Sequence, residues 1–330
     1  MQIVLENSST NINCLRKYAG KINMKDNRKI VAEEEEEQPI GDDEEDEESV
    51  DLVIKSLKDY DNIISNIDKR LKNKFKNKND HYSDFFQTFY RGQANKSFLK
   101  MPSVFRNGLH EKEHLIIDEA QNEYPYEFSH VDTNFELIAK LQHYGGATRL
   151  LDFTFDPYIA LYFACKGFKS DDGEIVIYRS ACVPQNDICI QTLSLFAKYH
   201  SSYGKLCDYL RKGLKQIYSD EFLLNLVKGS YFVLPALSNE RIFRQKGVFL
   251  MFGQKYISGN NNKVKKQIHE LSDTIGRGRN YIGGTAYIKI PYTIKAQILF
   301  ELKQKGIYEE YLFPELDKGL RMINEKYIRK

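Results

Sequence analysis

The stretch from Gln142 to Ala164 decides the fold. It runs Gln142-His143-Tyr144-Gly145-Gly146, then Thr148-Arg149-Leu150-Leu151-Asp152-Phe153-Thr154, then Asp156-Pro157 and Ala160-Leu161-Tyr162-Phe163-Ala164. The paired glycines end whatever helix precedes them, and residues 148–153 form an apolar run of strand type. Asp156-Pro157 opens a helix: the Asp oxygen caps free N–H groups and Pro presets φ in the first turn. That helix puts Ile159, Ala160, Phe163 and Ala164 on one face and stops near Gly167. Two charges, Arg149 and Asp152, sit inside the strand, where an unpaired charge is expensive. Either Arg149 pairs structurally with Asp152 or Asp156, or these side chains touch a ligand. A supporting Arg149–Asp152 pair implies that Asp152→Ala strands a buried cation, at a cost of about 3–5 kcal/mol.

Upstream, Asn134–His143 and residues 111–122 read as helices, and residues 85–90 as an aromatic strand ending in Arg91-Gly92. Downstream, the Asp171-Asp172-Gly173 turn leads into a strand over 174–178, and residues 189–228 read as helices. Tyr231–Leu234 and residues 248–252 read as strands, followed by a polar loop at 259–262 and a helix over 263–271. Thr285–Ile290 alternates, with Ala286, Ile288 and Ile290 on one face and Tyr287 and Lys289 on the other. Residues 293–306 and 316–328 are helical in pattern. There is no regular βαβ cadence and no GxGxxG turn, so the expected class is α+β, a mixed sheet core with surrounding helices.

The chain has 330 residues, 42% hydrophobic and 28% charged, which are globular values. Its longest apolar run, Tyr158 to Cys165, is far short of the roughly 18 residues of a membrane helix. Glu6, Asn7, Ser8 and Ser9 stand where a signal peptide needs apolar residues. These features predict a soluble, cytoplasmic protein with no membrane partner. Five cysteines without a CxxC pair argue against a disulfide framework. Of 46 acidic residues, twelve lie between Glu33 and Glu48 with no basic residue among them, so the rest of the chain carries 48 basic against 34 acidic residues. The acidic run reads as a solvated, self-repelling segment. The expected organisation is a disordered acidic tail at 1–49, a helix and basic linker at 50–80, and the main domain at 81–330. Ile3, Val4 and Leu5 have short-strand character, and Val50, Val53, Ile54, Leu57, Ile63, Ile64, Ile67 and Leu71 recur at near-helical spacing.

His110-Glu111-Lys112-Glu113-His114 fits HExxH, which on one helix face holds zinc and polarises water, with Glu136 as a third ligand by distance alone. Asn107-Gly108 places it at a helix start, and Ile117 stands where the metzincin pattern has Gly. A zinc metallohydrolase is therefore the weakest of the functional readings. Gly276-Arg277-Gly278-Arg279 is a single RG unit, too little to imply RNA binding. His200-Ser201-Ser202 lacks the G-x-S-x-G elbow of a serine hydrolase. Arg91 is a stronger candidate. Glycine beside it permits close backbone approach, and its guanidinium offers a bidentate fork for phosphate.

A dispersed set of residues carries more information. It comprises Phe89-Tyr90-Arg91-Gly92-Gln93, Met101-Pro102-Ser103 with Arg106, and the Gln142–Ala164 stretch. Asn239, Arg241, Gln245 and Gly247 follow, then Gly306-Ile307 and Leu312-Phe313-Pro314-Glu315-Leu316-Asp317. Over roughly residues 80–320 this ordered set resembles the FRG domain, a bacterial and phage-associated family named for its Phe-Arg-Gly motif. Tyr90 replaces the naming Phe, and Phe153 stands where that family has Trp.

The Tyr90-Arg91-Gly92 strand, the Thr148…Thr154 strand before a helix, and the late Gln245 also resemble the three-part plan of ADP-ribosyltransferases. No E-x-E pair stands at Arg244-Gln245. The resemblance implies an ADP-ribosyltransferase-like fold and an effector that uses NAD as substrate, in phage defence or a toxin-like role. A non-catalytic module that binds or senses a nucleotide or a phage component is the alternative, and the resemblance does not identify a macromolecular target. It further implies that Arg91 anchors the pyrophosphate, Gly92 clamps the amide and Tyr144 or Tyr162 is an aromatic platform. Gln245, or Glu240 if the strand is offset, stands by the ribose, and Gln245 and Arg91 are the catalytic residues this implies. Tyr90, Thr148, Arg149, Asp152 and Thr154 complete the cofactor-binding set.

Overall fold

Strand and helix follow the hydrophobic pattern closely in the computed structural model, which describes residues 52–76, 86–106, 108–201, 203–236, 240–253, 255–258, 264–267 and 285–315. The strands are β1 (Leu52–Val53), β2 (Phe86–Gln93), β3 (Leu150–Thr154), β4 (Gly173–Pro184), β5 (Tyr231–Leu234), β6 (Gly247–Met251), β7 (Lys255–Ser258), β8 (Val264–Gln267) and β9 (Thr285–Ile290). The first helices are α1 (Leu57–Lys76), α2 (Glu113–Glu123), α3 (Pro125–Phe128), α4 (Asn134–His143) and α5 (Pro157–Cys165). Then come α6 (Ile188–Ala197), α7 (Leu206–Leu214), α8 (Asp220–Lys228), α9 (Glu240–Arg244), α10 (Lys295–Gln304) and α11 (Glu309–Leu312). Among the described residues, no helix is long and apolar enough to cross a membrane.

β4 organises the sheet because it is long enough to serve two neighbours along one edge. Antiparallel β2 lies along residues 174–181 of it, from Gln93 opposite Glu174 to Phe86 opposite Ala181. On the other edge its first half pairs with β9, and residues 182–184 then pair in parallel with β5. β5 pairs with β6, β6 with β3, and β3 with β2, so β4-β2-β3-β6-β5 closes into a small barrel. β9 and β1 extend from β4 outside the ring. The α+β class with a mixed sheet and surrounding helices is therefore as expected.

Both faces of the barrel strands are covered, which is why β3 reads as a nearly unbroken apolar run. Phe89, Leu151, Phe153, Tyr178, Phe232, Val248 and Leu250 share the interior cluster. Phe232 stacks on Phe89 with ring centroids 4.1 Å apart, and Phe153 meets it edge-on at 5.0 Å. Outside the ring, α1, α5 and α10 cover Tyr90, Ile175, Ile177 and Ile288. α4 and α6 cover Leu150, Phe249 and Met251. α1 is tied to the start of α5: Tyr60 Oη donates to the Pro157 carbonyl at 2.7 Å, and Tyr158 Oη to Asp61 at 2.8 Å. Asp156 caps α5 as expected, accepting from the N–H groups of Tyr158 and Ile159.

Three expectations fail here. Val53, expected in the helical run that begins at Val50, lies in β1, where Leu52 and Val53 pair in parallel with Ile288 and Lys289, and the helix begins only at Leu57. Residues 264–267 are a strand rather than part of a helix. Ser258 pairs with Val264 and Lys255 with Gln267, so β7 and β8 are antiparallel partners and cross-strand pairing overrides local helical propensity; the polar loop expected at 259–262 lies outside the described residues. Arg149 does not pair with Asp152 or Asp156. Side chains three positions apart along extended chain point to opposite faces, and Arg149 points toward α2. There its Nε donates to Glu113 Oε1 at 2.8 Å and its Nη2 to Oε2, a bidentate bridge with both partners buried. Nη1 donates to the Phe252 carbonyl at 3.1 Å, and the guanidinium lies 5.0 Å over the Phe196 ring. The Ile3-Val4-Leu5 segment, the acidic run, the Gly276-Arg277-Gly278-Arg279 unit, Asn239 and the helix expected over 316–328 lie outside the described residues.

Candidate functional site

β2 and β3 are the weakest seam of the barrel. Their recorded pairing is Tyr90 opposite Thr154 and no further. Beyond it the strands part, and Arg91 spans the gap with its side chain: Nη1 donates to the Asp152 main-chain carbonyl at 2.8 Å. A cleft of about 290 Å³ opens over this seam. Tyr90, Arg91 and Gly92 of β2, Asp152 and Thr154 of β3, Gln142 and His143 of α4, Phe163 of α5, and Arg241 and Gln245 at α9 all line it. It lies between the helices that cover the two outer faces of the sheet, where neither layer seals the strands.

Asp152 is exposed to this cleft and is the one carboxylate in its lining among the described residues. It is held by a relay. Thr148 Oγ1 donates to Gln142 Oε1 at 2.5 Å, which turns the amide so that Gln142 Nε2 donates to Asp152 Oδ1 at 2.7 Å. Arg91 faces the same carboxylate. Burial pulls its guanidinium below the ordinary value, nearby Asp152 works the other way, and Arg106 adds to the lowering. Arg91 Nε is buried with no acceptor among the described residues.

The opposite wall is fixed by the segment after α10. Gln245 Nε2 donates to the Leu312 carbonyl at 3.0 Å, while its own carbonyl accepts from Thr154 Oγ1 at 2.7 Å. Arg241 pairs with Glu315 at 3.2 Å and lies 4.7 Å over the Phe313 ring. Phe313 in turn meets Phe163 edge-on at 6.0 Å. Arg241 on α9 and Gln245, the residue just past its end whose N–H donates to the Arg241 carbonyl at 2.9 Å, thus face the cleft together.

Of the residues singled out from sequence, Tyr90, Arg91, Gly92, Asp152, Thr154 and Gln245 come together in the cleft lining. Tyr144, Thr148, Arg149 and Tyr162 are not in that lining. Tyr144 is 68% exposed at the end of α4, with its ring against His143. Thr148 is buried behind Gln142, and Arg149 is wholly buried on Glu113. Tyr162 belongs to the core under α5, where burial raises its hydroxyl pKa well above the ordinary range. Glu240 pairs with Arg244 at 3.1 Å. Gly92 has a packing reason to be glycine: a Cβ there would stand 1.8 Å from the Ala160 carbonyl oxygen. Gln142, His143 and Arg241 were visible in the motif set but carried no assigned role. Their signal was position, at the last turn of a helix before Gly145 and four residues before Gln245.

The HExxH residues do not form one helix face. His110 lies in a 3-10 turn (Leu109–Lys112) against Phe105, and His114 lies on α2 with its ring 5.3 Å from that of His200. Among the described residues, no group of three or more His, Cys, Asp or Glu is arranged to hold a metal ion.

Residues 86–173 match the model of the FRG domain family, a span that begins with β2 and ends at the first residue of β4. The chain carries an FRG domain, and that span supplies the Arg91, Gln142 and Asp152 side of the cleft. No curated protein and no solved structure gives a match.

Proposed function

We propose that the seam cleft binds NAD and cleaves its nicotinamide–ribose bond, as an ADP-ribosyltransferase-like effector. The observation that supports this most is the convergence of Arg91, Arg241 and Asp152 on one cleft. Arg91, whose Nε has no acceptor among the described residues, suits a phosphate-bearing ligand, Arg241 adds positive charge although it is paired with Glu315, and a single oriented carboxylate suits a developing cation. The volume is near the lower end of ligand pockets, roughly 300–1,000 Å³, which suits one nucleotide half rather than an enclosed dinucleotide.

Breaking the C1′–N bond sends the bonding pair to the nicotinamide ring nitrogen and leaves positive charge shared between C1′ and the ribose ring oxygen. Asp152 is the group able to stabilise that charge. Gln142 and Thr148 hold its carboxylate in place, so little reorganisation is needed at the moment of reaction. Attack of water at C1′ then yields ADP-ribose, nicotinamide and one released proton; attack by another acceptor transfers the ADP-ribosyl group instead. Gln245 takes a supporting role in this account, because its amide is already committed to Leu312.

Nicotinamide release from NAD tests the reading. The parent is expected to release it, and Asp152→Asn to lower kcat by about 10²–10³ with binding retained. Gln245→Ala is expected to have a smaller effect. A second reading is a cleft that holds a nucleotide without turning it over. It is favoured by the neutral Gln245, whose amide is already committed to Leu312, and NAD binding without release would select it. Failure to bind NAD at all rejects both NAD readings.

A further inference from the structure

A second cavity, of about 380 Å³, lies at the opposite end of α4 from the seam cleft, between the start of α4 and the outer face of α6. Its lining is unlike the cleft's. It carries carboxamides and hydroxyls, including Gln121, Asn134, Gln191 and Ser194, and no Lys or Arg among the described residues. Ser194 is 1% exposed, and its Oγ has no hydrogen-bond partner among the described residues. Two residues earlier on the same helix, Thr192 satisfies its hydroxyl by donating to the Ile188 carbonyl at 2.7 Å. A buried hydroxyl left without such a bond costs free energy unless something in the cavity completes it.

The other groups are also half-used. Gln191 spends its Nε2 on the Asn186 carbonyl at 2.7 Å, which leaves Oε1 as an acceptor. Gln121 accepts from Lys198 at 3.5 Å through Oε1, which leaves its Nε2 as a donor. The α4 N-terminus does not make this an anion site. Thr133 Oγ1 caps the helix by accepting from the Glu136 N–H at 3.1 Å, and the Glu136 carboxylate, which accepts from the Asp132 N–H at 3.2 Å, adds negative charge there. Asp132 itself lines the cavity. A phosphate or carboxylate ligand would meet Asp132 in the lining, and the nearby Lys198 stands behind Gln121 rather than in the lining.

We propose that this cavity binds a neutral polyhydroxylated ring, a pyranose or furanose. Each sugar hydroxyl both donates and accepts, which matches interleaved amide donors and acceptors. Val131 and Leu195 supply apolar surface for the C–H face of the ring. Water occupies about 30 Å³ per molecule in the liquid, so the space takes one ring with a few bridging waters.

Calorimetric titration of the full chain with D-glucose and with D-ribose tests this, with inorganic phosphate as the charged control. Saturable binding of at least one sugar is expected, weakened about tenfold in Ser194→Ala and in Gln191→Leu. Neither substitution should change the response to phosphate. Ser194→Ala should melt at or above the parent temperature, since it removes an unsatisfied buried hydroxyl, so lost binding is separable from lost folding. In Arg91→Ala, sugar affinity should equal the parent's. The proposal is overturned if neither sugar binds saturably, or if affinity is unchanged in both cavity variants. It is equally overturned if Arg91→Ala abolishes sugar binding, since the sugar would then occupy the seam cleft.

Discussion

At the scale of single residues, Arg149 and Glu113 are stable only as a pair. Glu113→Ala would leave the guanidinium at the same depth with the Phe252 carbonyl and the Phe196 face as its remaining partners. The expected loss is about 3–5 kcal/mol, read as a lower urea midpoint with an unchanged slope. Asp152→Ala should instead cost no more than about 1 kcal/mol, because Asp152 is exposed and its carboxylate makes one hydrogen bond, to Gln142. A large loss in Asp152→Ala with a small one in Glu113→Ala would contradict this assignment. The need for a partner was legible in the sequence, since a charge inside an apolar run must be paired. Which partner was not, because Glu113 is 36 residues away on a different element and no local spacing links them. Arg91 was legible for the opposite reason: its strand, its glycine and its charge all lie within three consecutive residues.

Among the elements, α5 lies so close on β2 that Gly92 has no room for a methyl group. Its Cβ would meet the Ala160 carbonyl and the Ala164 N–H, which are backbone atoms and cannot swing aside. Gly92→Ala should therefore destabilise by about 3 kcal/mol or more, measured as a depressed melting temperature; an unchanged melt would mean that α5 is not seated on the strand. At the entrance to β4, Asp172 accepts from the Tyr292 N–H at 3.0 Å and pairs with Lys289 at 3.1 Å and Lys96 at 3.8 Å. The Tyr292 hydrogen bond first, and then Lys289, hold its carboxyl below its ordinary value of 3.8. A depressed folded-state pKa gives stability that is present above the ordinary value and is lost as the pH falls through the lowered one. Asp172→Asn should flatten that part of the acid limb of an unfolding profile, and an identical acid limb would count against the tie. Elements with local punctuation were read well: α4 begins and ends as expected, and α5 starts at its Asp-Pro cap. β4 runs on to Pro184, well past the expected 178, because its later residues are ordered by β2 and β5 rather than by their own pattern. β8 is likewise ordered by its pairing with β7 against a helical pattern of its own.

Over the whole molecule, closure of the barrel creates the site. The chain places Arg91, Asp152 and Gln245 far apart in sequence, and no periodicity shows that β4 pairs with both β9 and β5 and so bends the sheet until β3 meets β2. That last junction is held at one residue pair, and the polar residues of three separate segments gather where it opens. The proposed role of this seam is that of a nucleotide site anchored by Arg91. Titration of NAD into the parent and into Arg91→Ala, with the melt of each recorded alongside, tests it most directly. Saturable binding to the parent is expected, weakened by about 1.5–3 kcal/mol, or roughly ten- to a hundredfold, in a variant that remains folded. Equal affinity in the two proteins, or no binding to the parent, would contradict it.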